Sequence, residues 1–361
     1  MTTPSTATPS SKVTLVDLAE NDLPELSAFV AAQSGRDTDE TLRHLKWLLL
    51  DNPARQERTP LGWGVRSSTG TLAGCILYLP QMFVLNGKPL LLLGSSCFYV
   101  DESHRGSGGS LFLKFTRAAK DTPLFGNSAN AIAAQLWKAR GATPIADSDH
   151  ELLGILHWPP VIEEVAHRRG VPPTLSKMLA AGVAPLCRFR RLKLPRAAKA
   201  ELNRLSTIDE VMELRLVQPT EGLTALRHEP FLRWRYFSGT DPSVSLFAFR
   251  THDSKKRFFV AVNERPRGYR GQIRAIFLLD VFPKPQPDTL LAIVAALHER
   301  YRNDVHMIVL RCLDGPSQEV CVHAGFQRRA FESPNGWLLD RQRILPTHDF
   351  HFVPADGDWV I

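Results

Sequence analysis

The chain has 361 residues, 43% of them hydrophobic, and a formal net charge of +7, which is material for about two domains with packed cores. No apolar run approaches the roughly 20 residues that a membrane helix needs, so no integral membrane segment is expected. Residues 1–12 form a Ser/Thr/Pro tail without the apolar centre of a secretory signal and read as disordered.

Five cysteines (Cys75, Cys97, Cys187, Cys312 and Cys321) show neither CxxC pairing nor zinc spacing, so no metal is expected. Cys75 and Cys97 lie in apolar strands and read as packed free thiols, which suits a reducing, cytoplasmic compartment. Positive charge gathers in CRFRRLKLPRAAKAE, residues 187–201. Without a base-stacking aromatic pattern around it, this segment reads as a solvated linker, and no nucleic acid partner is expected.

In chain order, helices are predicted over about 22–33 and 38–50, the second opened by an Asp37/Glu40 capping box. Three strands follow: LGWGVRS, LAGCILYLPQMFVL and LLLLGSSCFYV, with turn signals at Ser68-Thr69-Gly70 and Asn86-Gly87. The third strand ends at Val100. Leu111, Phe112 and Phe115 then recur at helical spacing, so residues 105–110 are a strand-to-helix turn. A strand near 122–127 and a helix from about 129 complete an α/β (α+β) layered pattern.

The plan repeats. Leu-basic-Trp on a helix occurs in RHLKWLLLDNP (43–53) and in PFLRWRYFSGTDP (230–242), each closed by a proline. Three strand-like segments follow in both halves: SLFAFR, RFFVAV and IRAIFLLDVF in the second. Arg66 and Gly141 are 75 positions apart, as are Arg250 and Gly325. The expected units are therefore 13–195 and 205–361, with a linker between 190 and 210.

The turn Arg105-Gly106-Ser107-Gly108-Gly109-Ser110 stands at a helix N-terminus, where unpaired N–H groups and the helix dipole attract anions. Glycines let a phosphate approach the backbone, and such turns favour positive φ. Arg105 and Ser107 offer further donors. The P-loop pattern GxxxxGK[ST] is absent, and Gly106-x-Gly108 lacks the third glycine of a dinucleotide fingerprint.

The turn resembles the acetyl-CoA signature [QR]-x-x-G-x-[GA] of the GNAT superfamily of N-acyltransferases, with Ser110 at the last position. NAIAAQLWKARGA (130–142) is similar to that family's N-x-x-A-x-x-L-Y-x-x-x-G-F helix: Asn130, Ala133, Leu136 and Gly141 match. Trp137 replaces the tyrosine and Ala142 the phenylalanine.

The resemblance implies two GNAT-like domains, each a mixed, mostly antiparallel central sheet flanked by helices. It implies acetyl-CoA or another acyl-CoA as cosubstrate, held by Phe98, Tyr99, Val100, Arg105, Gly106, Ser107, Gly108, Gly109, Ser110, Asn130 and Trp137. The family's general base is often a glutamate where this chain has Ser96, and its general acid is the tyrosine that Trp137 replaces. Ser96, through a bound water, and Tyr99 are the catalytic candidates. Asp149, His150 and Glu151 would offer a base near neutral pH, but read as an exposed polar turn. In the second half Pro283, Pro285 and Pro287 replace the glycines and lack N–H donors, so that half reads as a degenerate copy.

The implied activity is acyl transfer to the amine of a small molecule such as an amino sugar or amino acid. The alternative is an acyl-CoA sensor without catalysis.

Overall fold

The computed structural model describes residues 13–357 apart from 58, 118–119, 191, 196–199, 239–241, 252–255, 269–270 and 346–349. The expected N-terminal tail and part of the basic linker lie outside the described residues. The first half runs β1 (Thr14–Leu18), α1 (Leu23–Ser34), α2 (Thr38–Leu49), β2 (Gly62–Arg66), β3 (Leu72–Leu85), β4 (Lys88–Val100) and α3 (Gly108–Arg117). It continues through β5 (Leu124–Gly126), α4 (Ala131–Ala139), β6 (Thr143–Pro144), β7 (His150–Ile155), α5 (Trp158–Arg168) and α6 (Pro173–Val183). The second half holds β8 (Ala200–Leu205), α7 (Ile208–Met212), β9 (Leu223–Ala225), α8 (Glu229–Arg233), β10 (Val244–Thr251), β11 (Arg257–Arg267) and β12 (Ile273–Phe282). Then come α9 (Pro287–Tyr301), β13 (Met307–Leu310), α10 (Gly315–His323), β14 (Gln327–Ala330), β15 (Trp337–Leu339) and β16 (Phe350–His351).

Local chemistry accounts for many of these boundaries. Asp37 opens α2 by accepting the Glu40 N–H at 2.8 Å, which satisfies one of the orphan donors of the first turn. Asn86 and Gly87, both at positive φ (49° and 79°), make the tight turn between β3 and β4. Gly141 and Gly325 follow α4 and α10 at φ 79° and 100°, the left-handed position that ends a helix.

Two sheets result. The first has the order β1-β2-β3-β4-β5-β15-β6, with β9 paired to the end of β3 and β16 to β9; the second is β14-β7-β13-β12-β11-β10-β8. Apart from β9 and β16, they match strand for strand, and in the matched order each takes one strand from the other half. β15 inserts between β5 and β6, pairing Trp337 with Gly126 and with Pro144. β7 inserts between β13 and β14, pairing Leu153 with Val309 and with Gln327. The chain therefore crosses between the sheets instead of dividing once near residue 200. A strand so placed gains ladder bonds on both edges, which a local hairpin with β6 would not give β7.

The largest apolar cluster joins the halves. Leu26, Leu45, Trp47, Leu77 and Leu79 pack there with Phe231, Trp234, Phe259 and Leu279. At its edge lies a buried polar network: Arg227 Nε donates to Asp280 at 2.8 Å and its Nη2 to Asp356 at 2.6 Å, while Gln81 also donates to Asp356. This network ties the segment around Asp356 to both sheets.

Candidate active site

The site begins with a departure from regular pairing. β4 and β5 run parallel and pair only at Leu93 with Leu124 and Gly94 with Phe125. Beyond those residues β4 continues to Val100 while β5 stops at Gly126, so the strands part. A cavity of about 200 Å³ opens in the gap, lined among others by Ser95, Ser96, Cys97, Phe98, Tyr99, Asn130 and Trp137.

A bulge sets which residues face it. Tyr99 pairs with Cys75 and Ser96 with Leu77, leaving Cys97 and Phe98 opposite Ile76 alone, with Cys97 at φ 48°. One extra residue inverts the alternation of a strand. Before it, Leu91 and Leu93 pack on the cluster that holds Leu111 and Phe112 of α3; after it, Phe98 and Val100 do so. Cys97 and Tyr99 turn to the opposite face, against the cluster shared by the two halves.

The polar groups of the cavity are weak acids and neutral donors. Ser96 is buried and its Oγ lies 3.5 Å from Cys97 Sγ. Burial pushes the neighbouring Cys75 thiol up, with Cys97 adding to the shift. Burial also raises the Tyr78 phenol, whose hydroxyl donates to the Phe115 carbonyl at 3.4 Å. Among the described lining residues there is no carboxylate and no imidazole.

Trp137 is 1% exposed and forms the floor, edge-on to Phe112 at 5.1 Å. Gly126 admits it, because a Cβ there would come within 2.9 Å of the indole. Asn130 caps α4 by accepting the Ala133 N–H at 2.9 Å.

The glycine turn stands beside the mouth. Residues 102–107 wind as a 3₁₀ helix directly into α3. The expectation of positive φ is not met: Gly106, Gly108 and Gly109 are all outside the left-handed region, because the turn continues a helix and does not reverse the chain. Their value is space. A Cβ on Gly106 or Gly109 would meet nothing within 4 Å, whereas on Gly108 it would touch Val100 and Phe98 at 3.7 and 3.8 Å. Arg105 is 73% exposed and 3.4 Å from Glu102. The Ser107 hydroxyl turns inward and donates to the His104 carbonyl at 2.8 Å. Ser110 is exposed on the first turn of α3.

The structure thus brings Ser96, Phe98, Tyr99, Asn130 and Trp137 to one cavity, with Val100 and the 105–110 turn alongside. The sequence reading missed Ser95, Cys97, Phe112, Ser128 and Ala129 as lining residues. By sequence Cys97 reads as ordinary strand packing, and nothing there marks the bulge. Asp149, His150 and Glu151 correct the reading of an exposed turn. Glu151 is fully buried, and His150 is bonded to both Asp149 and Gln318. His150 and Glu151 open β7, which the insertion places between β14 and β13, whereas Asp149 just before it is exposed.

A groove of about 830 Å³ separates α2 from the second half, lined among others by Arg36, His44, Trp47, Arg235 and Tyr236. Burial, with Arg36 and Arg235 nearby, lowers His44 to about 4. Trp47 and Tyr236 pack in the same cluster that Cys97 and Tyr99 face.

No family model and no curated protein matches the chain at a significant level. Solved structures do. A conserved protein of Enterococcus faecalis described as a probable N-acyltransferase superposes with a TM-score of 0.57 at 10% identity, over 91% of this chain and 72% of that one. A GCN5-related N-acetyltransferase of Anabaena variabilis gives 0.56 at 10% identity with the same coverage. The N-myristoyltransferase of Saccharomyces cerevisiae, solved with bound myristoyl-CoA, gives 0.51 at 14% identity, over 94% and 80%. At such identities the likeness concerns the fold: this chain has the GCN5-related N-acetyltransferase fold, with two mostly antiparallel sheets flanked by helices.

Proposed function

We propose that the chain is an N-acyltransferase that moves an acyl group from acyl-CoA to the amine of a small molecule. The parting of β4 from β5 beyond Gly94 carries this reading. It leaves the β5-facing edge of β4 beyond Gly94 beside a cavity, while its other edge stays paired with β3, and that open edge would pair with the amides of a pantetheine arm. The N-terminus of α3, cleared by Gly106 and Gly109, would face the diphosphate, with Arg105 free to swing onto it.

Acyl-CoA supplies the reactive thioester. The chain's part is to orient it and to accept the amine from the opposite side, where the groove beside Trp47 and Tyr236 is wide enough for an amino sugar or amino acid. With no carboxylate or imidazole among the described lining residues, the rate would rest on positioning and on polarising the carbonyl, the amine arriving already neutral. Ser96 would hold a relay water, and Tyr99 is the competing donor.

The same bare lining supports a second reading, acyl-CoA binding without transfer. Thiol release from acetyl-CoA, followed with a panel of amino sugars and amino acids, separates the two. Release dependent on an amine supports the enzyme. Tight CoA binding without amine-dependent release supports the sensor. Absence of CoA binding would overturn both.

A further inference from the structure

The second sheet parts as the first does. β12 and β13 pair through Ala275 with Met307, Ile276 with Ile308 and Phe277 with Val309, and a bulge at Leu279 follows, where Ala261 pairs with Asp280 but Val262 with Leu278. Beside this parting lies a cavity of about 280 Å³. Its apolar wall is Phe277, Leu278, Leu279, Val309 and Pro354. Its polar lining is Asn263 with five arginines: Arg168, Arg265, Arg267, Arg311 and Arg329.

Two buried carboxylates hold four of these cations in place. Glu151 receives Arg267, Arg311 (Nη2 at 2.7 Å) and Arg329 (Nη1 at 3.2 Å). Glu164 takes Arg168 at 2.7 Å. Among the described residues, four paired guanidinium groups against two carboxylates leave two positive charges in excess around one small cavity. The Phe277 ring sits 5.8 Å from both Arg267 and Arg311, which fixes their planes. Arg267 keeps a buried Nη1 with no hydrogen-bond partner among the described residues. Burial lowers Arg311 and Arg329, with a smaller push from Arg267, against the opposing pull of Glu151.

Like charges gathered at low dielectric repel strongly unless an anion offsets them. Guanidinium forks held by a shared carboxylate suit bidentate recognition of oxyanions. We propose that this cavity binds a small oxyanion of at least two negative charges, either a phosphate or a polycarboxylate. Glu151 serves as the internal counter-ion that arranges the forks, and the excess charge is left for the ligand. The site lies on the second sheet, with Glu151, Glu164 and Arg168 supplied by the first half of the chain, and stands independently of acyl transfer at the first sheet.

The test is calorimetric titration of the full chain, without CoA, with inorganic phosphate and with citrate in low-chloride buffer. One saturable site is expected for at least one of them, and which anion fills it identifies the ligand as phosphate-like or polycarboxylate-like. Arg265→Gln with Arg329→Gln, both partly exposed, should weaken that binding at least about tenfold. Arg204→Gln, exposed on β8, should leave it unchanged. If circular dichroism shows the double variant unfolded, Arg168→Gln carries the same comparison. Saturable binding of neither anion, or equal affinity in the parent and the folded cavity variant, would overturn the proposal.

Discussion

Trp47 and Trp234 stack across the boundary between the halves, their ring centroids 5.0 Å apart and their planes 20° from parallel. Each indole donates to the other's backbone carbonyl, at 2.9 and 2.8 Å. The exchange is reciprocal because the two residues hold matching places in the repeat, each following Leu and a basic residue. The contact therefore marks a local two-fold relation, and the mutual insertion of β7 and β15 obeys the same symmetry. Arg235 lies over both rings at 5.6 and 5.7 Å and donates to the Gly357 carbonyl, so the seam and the chain end near it are fastened together.

Replacing either tryptophan by phenylalanine removes one buried donor. Each single change should cost about 1–2 kcal/mol in urea unfolding, the loss of a buried hydrogen bond plus some ring area. The double change should deviate from additivity by about 0.5 kcal/mol or more, since the residues touch. Strict additivity would contradict the reciprocal contact.

Arg227 holds two carboxylates that are each 1% exposed. Tyr236 also donates to Asp280 at 2.8 Å, and burial holds its phenol well above the usual range. Arg227→Met should destabilise the chain by about 3–5 kcal/mol, because it strands buried negative charge. Adding Asp280→Asn should recover part of that loss. Thermal unfolding of both variants checks the order; a double variant no more stable than Arg227→Met would refute it.

At the glycine turn the open positions are 106 and 109. Gly106→Val and Gly109→Val should leave the melting temperature nearly unchanged while weakening CoA binding at least about tenfold, because their side chains would occupy space the protein leaves empty. Arg105→Ala should cost about 1.5–3 kcal/mol of binding if its guanidinium meets the diphosphate. Calorimetry with CoA decides, and unchanged affinity in all three would remove the turn from the site.

Within the cavity, Ser96→Ala should slow amine-dependent turnover by roughly one to two powers of ten, less than the loss of a strong general base. Tyr99→Phe is the comparison. A much larger drop there, at unchanged CoA affinity, would move the proton-transfer role to Tyr99.

His44 is held neutral, its pKa lowered from 6.5 to about 4 chiefly by burial. Its unfolded form binds a proton that the folded form refuses, so stability is fully present above pH 6.5 and declines as pH falls toward 4. The slope contributed is up to roughly 1.4 kcal/mol per pH unit. His44→Gln should flatten that part of the stability–pH curve; an identical curve in the variant would show that His44 does not titrate in this way.

Features settled within a few residues were legible in the sequence. The Asp37 cap, the Asn86-Gly87 turn, the helix that begins near Asn130, and the glycine turn leading into α3 each depend on backbone chemistry inside one or two turns of chain. The repeat was legible too, since equivalent packing demands similar residues at matching places, as Trp47 and Trp234 show. Three things needed the tertiary structure. The bulge at Cys97 is an offset between strands, and a strand that slips by one residue carries the same amino acids, so Tyr99 and Phe98 exchange faces without a sequence mark. The insertion of β7 and β15 pairs residues far apart in the chain, where no local propensity chooses the partner. And Glu151, between Asp149 and the apolar run of β7, reads as part of a polar turn, yet arginines from β11, β14 and the end of β13 close around it. Its burial is decided by where those strands meet, which only the folded chain specifies.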